Sequence, residues 1–221
     1  MQLIRPSYQI LTPLEQVLFF PAFLEAAGRT CYKSEDRIGP NTAEPFVKKL
    51  VCDLKHESVI EHCSLSVRFI VDRGVSHEMV RHRLASFSQE STRYCNYGKK
   101  GVVFIIPPWC KVLEGSYGIG GVPPSSSMGD TLWFQSMWGA SVSYELLLLQ
   151  GWAPQQARAV LPNSLKTEVV MTANLREWRH VLTLRTSRAA HPQIREVMVP
   201  LLRDLQGVLP VVFGDIIPHI E

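Results

Sequence analysis

Apolar and polar residues alternate most cleanly where Leu65, Val67, Phe69 and Val71 are separated by Ser66, Arg68 and Ile70. A repeat of two puts successive side chains on opposite faces, so this stretch predicts a strand with one mostly apolar face. Phe46, Val47, Leu50, Val51 and Leu54 recur instead at threes and fours, which predicts a helix over Thr42 to Lys55. Phe134, Met137, Trp138, Val142, Leu146 and Leu149 mark a longer amphipathic helix. Gln2–Leu11 reads as a short first strand. Pro13 to Tyr32 is helix-like, with a break or kink expected at Pro21, because proline lacks the N–H and its ring crowds the preceding turn. A helix is expected just after Gly74, a brief strand over Val102–Ile106 stopped by Pro107-Pro108, and a last helix from about Pro192 toward Gly207. Short helices or strands fill the remaining interval. Helices outnumber strands with no regular βαβ alternation. The expected class is α+β, a mixed and largely antiparallel sheet flanked by helices.

Length and composition narrow this picture without changing it. The 221 residues suffice to bury a substantial core. Gly115 to Gly129 is the one linker-like stretch, and it reads as a surface insertion in a single compact domain spanning 1–221. At 46% hydrophobic and 19% charged the chain is globular rather than disordered. A net charge of +3 is too small to imply duplex nucleic acid as a partner, yet it permits local basic pockets. No run of about 18 apolar residues is present, so no membrane span is expected. Met1–Pro6 lacks the apolar stretch of a signal peptide. Cys31, Cys52, Cys63, Cys95 and Cys110 are odd in number and form no C-x-x-C, which points to free thiols in a reducing cytoplasm.

Candidate chemistry concentrates in Arg81-His82-Arg83 and its continuation through Gln89-Glu90-Ser91-Thr92-Arg93-Tyr94. Arginine presents a planar fork to phosphate, and hydroxyls complete the shell of an oxyanion. A bare R-H-R would mean a solvated basic face; the hydroxyl-rich, acid-poor continuation favours an anion site. On an α-helix, neighbours point about 100° apart, so the three residues fan around the axis. Either the helix ends here or the three serve different faces, and the second option suits a site at a junction between subunits. Downstream, Asn174 is a plausible N-cap with Glu177 at the reciprocal position. Arg176 in the first turn opposes the macrodipole, which suggests an outside anion or a solvated side chain. Trp178, Leu182 and Arg185 share one stripe, and no carboxylate on that stripe pairs Arg185. A partner from elsewhere in the fold or a bound ligand must offset its charge. Arg158, among Ala157, Ala159, Val160 and Leu161, raises the same question.

R-H-R, seven residues, then Ser is the signature of the flavin-dependent thymidylate synthases, and Arg81-His82-Arg83 with Ser91 fills it. The chain resembles that family over nearly its whole length. His56-Glu57-Ser58 with Glu61-His62, Ala157 through Pro162, Asn174-Leu175-Arg176 leading to Leu184-Arg185, and His191-Pro192-Gln193 follow in the family's order. The resemblance implies methylation of dUMP to dTMP, with 5,10-methylenetetrahydrofolate as one-carbon donor and FAD and NADPH supplying the reduction, and with no covalent cysteine adduct. It implies flavin contacts from Arg81, His82, Arg83, Ser58, Gln89, Asn174, Arg176 and His180, with His56 near flavin and folate. It implies a dUMP pocket from Glu78, Arg81, Gln89, Glu90, Ser91, Thr92, Arg93 and Arg158. Arg185 resembles the catalytic arginine that stabilises the ionised N3 of the pyrimidine. The family is also expected to form a homotetramer with active sites between subunits. Glu78, Gln89-Glu90 and His180 stand where glutamine, Glu-Leu and asparagine are familiar.

Rival readings remain distinguishable. Cys52, His56, His62 and Cys63 offer zinc-type ligands, but the spacing matches no familiar finger and Cys52 fits the apolar rhythm of its helix, so no metal is expected. A basic-pocket nucleotide or nucleic-acid binding protein would carry a strongly basic domain with exposed aromatics. A flavin-free thymidylate synthase would need a cysteine framed by phosphate-binding arginines. No G-x-G-x-x-G follows a strand, so NADPH must bind in an unconventional way.

Overall fold

The computed structural model describes residues 1–98, 101–118, 121 and 127–219. In chain order the elements are β1 (Gln2–Ile4), β2 (Ser7–Ile10), α1 (Leu14–Tyr32), α2 (Ala43–Lys48), β3 (Ser64–Asp72), α3 (Arg73–Met79), β4 (Ser86–Gln89), β5 (Val103–Ile105), β6 (Gly115–Ser116), α4 (Met128–Leu149), α5 (Pro154–Ala157), β7 (Lys166–Asn174), α6 (Leu175–Arg185), α7 (Pro192–Val208) and α8 (Pro210–Phe213). The α+β class expected from the sequence is the one observed. One sheet has the order β5-β1-β6 and the other β2-β3-β7-β4. The chain gathers into two compact units: the first is Met1–Ser7, Phe69–Arg81 and Ser88–Val169, the second Tyr8–Arg68, His82–Phe87 and Val170–Glu221.

In the first unit β1 runs parallel to β5, with Leu3 opposite Phe104, and antiparallel to β6. Leu3, Phe104, Ile106, Phe134, Tyr144 and Leu165 are among the large members of its core. The α4 N-terminus is capped by Ser127, whose hydroxyl accepts from Asp130 N at 3.1 Å. Helix α3 starts at Arg73, one residue before Gly74, because the Asp72 carboxylate caps it by accepting from Val75 N at 2.8 Å. Gly115–Ser116, expected as loop, forms β6 by pairing with β1. Residues 119, 120 and 122–126 of the expected insertion lie outside the described residues.

The second unit is mainly helical. Helix α7 buries Ile194, Val197, Met198, Leu201, Leu202 and Leu205 at the spacing of one helical face. Helix α1 runs unbroken through Pro21, so of the expected break or kink there is no break. Val17, Phe20 and Leu24 are buried on both sides of the proline, so packing holds the helix across the missing N–H. The helix expected over Thr42 to Lys55 is α2 only to Lys48; Lys49–Asp53 widens into a π turn, and Leu54 is exposed. The single first strand is two strands, β1 and β2, assigned to different sheets on either side of Pro6, a residue that cannot donate to a ladder. The helix from Pro192 is not the last, since α8 follows it.

The alternation in β3 is as expected: Leu65, Val67, Phe69 and Val71 are buried and the residues between are not fully so. Strand β7 repeats it with Thr167, Val169, Met171 and Ala173 inward. Its C-terminal end passes directly into α6. The Asn174 side chain accepts from Glu177 N at 2.9 Å, and Leu175 N donates to Cys63 O at 3.0 Å. Trp178 is fully buried, and its indole N–H donates to Leu65 O at 2.9 Å. Trp178→Phe removes that donor and strands a buried carbonyl, at about 2 kcal/mol. For a chain of this length that lowers Tm by about 4–8 °C, read by calorimetry. An unchanged Tm means that the indole does not anchor α6.

Candidate active site

Within the second unit, a cavity of about 740 Å³ is lined by Glu57, Glu61, Asn174, Arg176, Glu177 and His180, among others. Three elements present these groups. A 3-10 turn over Glu57–His62 supplies the two glutamates, the end of β7 supplies Asn174, and α6 supplies Arg176, Glu177 and His180. On α6, Trp178, Val181 and Leu182 face the interior, so Glu177 and His180, three apart, fall along the cavity side. His56 and Ser58 are exposed at the start of the same 3-10 turn.

The R-H-R run lies beyond the helix rather than on it. Helix α3 stops at Met79 with Val80 as its C-cap, so the first of the two options, a helix that ends before the run, is observed. Arg83 is exposed, whereas His82 is buried. The imidazole Nε2 of His82 accepts from Arg185 Nε at 3.0 Å, and its Nδ1 lies 3.5 Å from Glu177 Oε1. His180 meets the same ring edge-on, with centroids 5.8 Å apart. Burial first, then the neighbouring Arg185 and His180, hold the His82 pKa down at about 4. The ring is therefore neutral at physiological pH. Arg185 is half-buried at the C-terminal end of α6, and the uncharged His82 is one answer to the question posed by its apolar stripe.

Arg176 does not stand alone either. Its NH1 donates to Glu61 Oε1 at 2.5 Å, and its Nε is 3.8 Å from Glu57 Oε2. With the arginine about half exposed, this is a surface pair of small energetic weight. Arg179, which the sequence reading passed over, is buried. It donates to Glu57 Oε1 at 2.9 Å, to both Asp215 oxygens at 2.6 and 3.0 Å, and to the Val212 carbonyl. Glu177 was read as a capping partner; its carboxylate is instead buried beside His82. The signal available for Arg179 and Glu177 was their position on either side of the buried Trp178 in the sequence. Among the described residues, the one cluster spaced to hold a metal ion is His82, Glu177 and His180, not the zinc-type set of Cys52, His56, His62 and Cys63 that the sequence raised only as a rival reading.

The remaining site residues lie in the first unit. Arg81 is exposed, and its backbone N–H donates to Glu78 O at 3.4 Å. Gln89 Nε2 donates to Ser76 Oγ at 2.9 Å and to Thr167 Oγ1 at 3.2 Å. Glu90 Oε2 accepts from Lys166 Nζ at 3.0 Å and from Glu168 N at 3.2 Å, so this carboxylate is tied to the start of β7. Ser91 Oγ accepts from Arg93 N at 3.3 Å. Thr92 is buried, and its hydroxyl accepts from the exposed Arg158 at 2.6 Å. Thr92 thus aims a solvent-facing guanidinium, a form of pre-orientation suited to an anion.

The family described as "Thymidylate synthase complementing protein" matches residues 21–211. A flavin-dependent thymidylate synthase of Mycobacterium avium (strain 104) is 36% identical over 200 residues, covering 88% of this chain and 79% of that one. The chain belongs to the flavin-dependent thymidylate synthase family. Its relative in Mycobacterium tuberculosis (strain ATCC 25177 / H37Ra) is 33% identical over 203 residues, with the same coverage. Thymidylate synthase X from Helicobacter pylori, solved with FAD and dUMP, superposes with a TM-score of 0.71 at 22% identity, covering 97% of this chain and 100% of that one. The UMP/dUMP methylase PolB from Streptomyces cacaoi, bound with 5-Br UMP, gives 0.71 at 22% identity over 97% and 95%. Those two likenesses bear on the fold of this family member, and the fold agrees.

Asp215 gives this site an acid-sensitive tie. Hydrogen bonds from Arg179, and then from Lys55, hold its carboxyl well below the usual carboxylate range. A depressed carboxylate pKa contributes stability above the unfolded value of about 3.9 and loses it as pH falls toward the folded value. Asp215→Asn should therefore destabilise by about 1–2 kcal/mol at pH 7, with the difference from wild type shrinking below about pH 4. Urea titrations at the two pH values read it. A pH-independent difference would show that the charge of Asp215 is not what stabilises the tie.

Proposed function

We propose that this chain methylates dUMP to dTMP, with 5,10-methylenetetrahydrofolate as one-carbon donor, FAD as cofactor and NADPH as reductant, and with no cysteine adduct on the pyrimidine. The observation that carries this reading is the 3.0 Å hydrogen bond from Arg185 to His82, which joins two of the family's motifs that lie 103 residues apart. The residues fit a flavin. The cavity volume is in the range of cofactor sites. Its rim offers Asn174 and His180, and the exposed Arg176 is held by a surface carboxylate that an anionic ligand is able to replace. Bound FAD, once reduced by NADPH, would supply the hydride that reduces the transferred one-carbon unit.

The protein's own groups do the remaining work in this reading. Arg93 and Arg158 bind the phosphate of dUMP, with Thr92 aiming Arg158 and Ser91 adding a hydroxyl. Arg81, Glu78, Gln89 and Glu90 border the nucleotide, and His56, Ser58 and Arg83 border flavin. Arg185 holds the charge that develops at N3, which makes carbon 5 nucleophilic. The thiols of Cys52, Cys63 and Cys110 are pushed up by burial, Cys63 to about 11, which makes them poor nucleophiles. The five cysteines are free thiols, in keeping with a cytoplasmic enzyme. No described helix is long and apolar enough to cross a membrane.

A homotetramer completes the proposal. Leu14, Leu18, Phe19 and Phe23 form an exposed apolar stripe along α1, a surface that a second copy of the chain would cover. Replacing Phe19 and Phe23 together with Asp should reduce the mass measured by light scattering. An undiminished oligomer would assign assembly to another face.

Arg185→Lys tests the chemistry. The charge survives, but the planar fork does not. The expected result is a fall in dTMP formation on the order of a hundredfold, with FAD absorbance and oligomeric mass retained. Near-native turnover with a lowered Tm would make Arg185 a structural residue instead. Wild-type protein that acquires no flavin absorbance from micromolar FAD would remove the functional reading itself.

A further inference from the structure

Glu177 has no part in the reaction just described, yet its surroundings give it one. Its carboxylate sits on a residue 6% exposed, 3.5 Å from Nδ1 of His82. At the other side of the same ring, Nε2 accepts from Arg185 Nε at 3.0 Å. A guanidinium has donors only, so Nε2 is the nitrogen without a proton. A neutral imidazole carries its single proton on the other nitrogen, and that places Nδ1–H toward Glu177. The opposite tautomer would set two N–H groups against each other at Arg185 and leave a carboxylate facing a lone pair at Glu177. Both contacts select the same tautomer.

We propose that Glu177 is a positioning residue: it holds His82 in the Nδ1–H tautomer, which keeps Nε2 available as the acceptor that orients Arg185. This rests on the reading of Arg185 as the catalytic arginine. The chemistry is a relay of orientation along carboxylate, imidazole and guanidinium, with no proton transferred. It also decides between the two uses of the His82, Glu177 and His180 cluster, whose ligand atoms all lie within 4.8 Å of one another. A histidine that binds a metal gives its second N–H to an acceptor. Here a guanidinium donates to the second nitrogen, and its charge opposes a divalent cation. The arrangement fits a proton on Nδ1.

The relay explains why a neutral histidine stands between two charges. Lysine or arginine at position 82 would repel Arg185, and a carboxylate would repel Glu177. Glutamine could satisfy both contacts, but as a flexible side chain it fixes direction less well than a ring. His82 is also flanked by His180, which adds to burial and Arg185 in keeping the ring uncharged. An uncharged ring leaves the charge of Arg185 undiminished for a ligand.

The test uses the flavin-loaded enzyme, labelled with nitrogen-15 in histidine. The His82 signals are identified by their loss in His82→Asn. In wild type, the expected spectrum at neutral pH has a pyrrole-type Nδ1 and a pyridine-type Nε2. Glu177→Leu keeps the site packed but removes the acceptor; it should mix the tautomers and lower kcat for dTMP roughly tenfold, the scale of losing an orienting partner, with little change in KM for dUMP. Glu177→Gln, which retains an acceptor oxygen and folds with the least disturbance, should lose less than Glu177→Leu. In an Arg185→Lys background the Glu177→Leu loss should disappear, because residues that act through one another are not additive. A pyridine-type Nδ1 in wild type overturns the proposal, as does a full, additive loss from Glu177→Leu on top of Arg185→Lys. If wild type forms no dTMP, the functional reading fails separately, and the tautomer in its spectrum still decides whether Glu177 positions His82.

Discussion

A guanidinium keeps its charge at any pH a cell offers, so a buried arginine obliges the chain to bring acceptors to it. Arg179 is 7% exposed, and two segments distant in sequence converge on it: the 3-10 turn with Glu57, and α8 with the Val212 carbonyl and with Asp215 just beyond its end. The arrangement of the candidate site depends on that convergence. By fixing Glu57 against α6, Arg179 fixes the turn that carries Glu61, and with it the partner that Arg176 finds. Removing one carboxylate from a buried arginine costs more than the pair is worth in isolation, because the charge that remains has lost its compensation.

Helix α6 divides its labour by face. Trp178, Val181 and Leu182 anchor it, and the indole hydrogen bond to Leu65 fixes its rotation about its own axis. With the rotation fixed, Glu177 and His180 point to the cavity and Arg185 meets His82. The first unit reaches similar rigidity by other means. Glu90 is tied to the start of β7 through Lys166 and the Glu168 amide, Gln89 is held by Ser76 and Thr167, and Arg158 is steered by Thr92. In the first unit the exposed Arg158 is oriented by the buried Thr92, and in the second the half-buried Arg185 is oriented by the buried His82.

Much of this was legible in the sequence where a local rule governs. The period of two in β3 gave its inward residues, the Asn174 cap gave the start of α6, and Pro192 gave the start of α7. Local rules failed where packing outweighs propensity. Pro21 sits inside a continuous α1 because Val17, Phe20 and Leu24 are buried around it. The apolar rhythm through Leu54 outran the helix, which turns into a π segment after Lys48. At the site, the R-H-R motif was visible as a string, but not that its middle residue alone is buried or that Arg185 would find it. Glu177 satisfies a local capping pattern, and nothing near it in the sequence marks its partner 95 positions away. Contacts of that kind leave no mark in periodicity.

The pair formed by Arg176 and Glu61 has a consequence for ionic strength. An anion that binds at Arg176 does not add an ion pair to the protein; it replaces one, and it releases Glu61 to solvent. Salt screens the pair that is lost and the pair that is gained over the same Debye length of about 8 Å at physiological strength. The two effects oppose each other, so occupancy at this position varies little between dilute buffer and the crowded electrolyte of a cell. A bare surface arginine would instead bind an anion tightly in dilute buffer and release it as salt rises. Glu61 thus acts as an internal counterion, exchanging a strong but salt-sensitive contact for a weaker and steadier one.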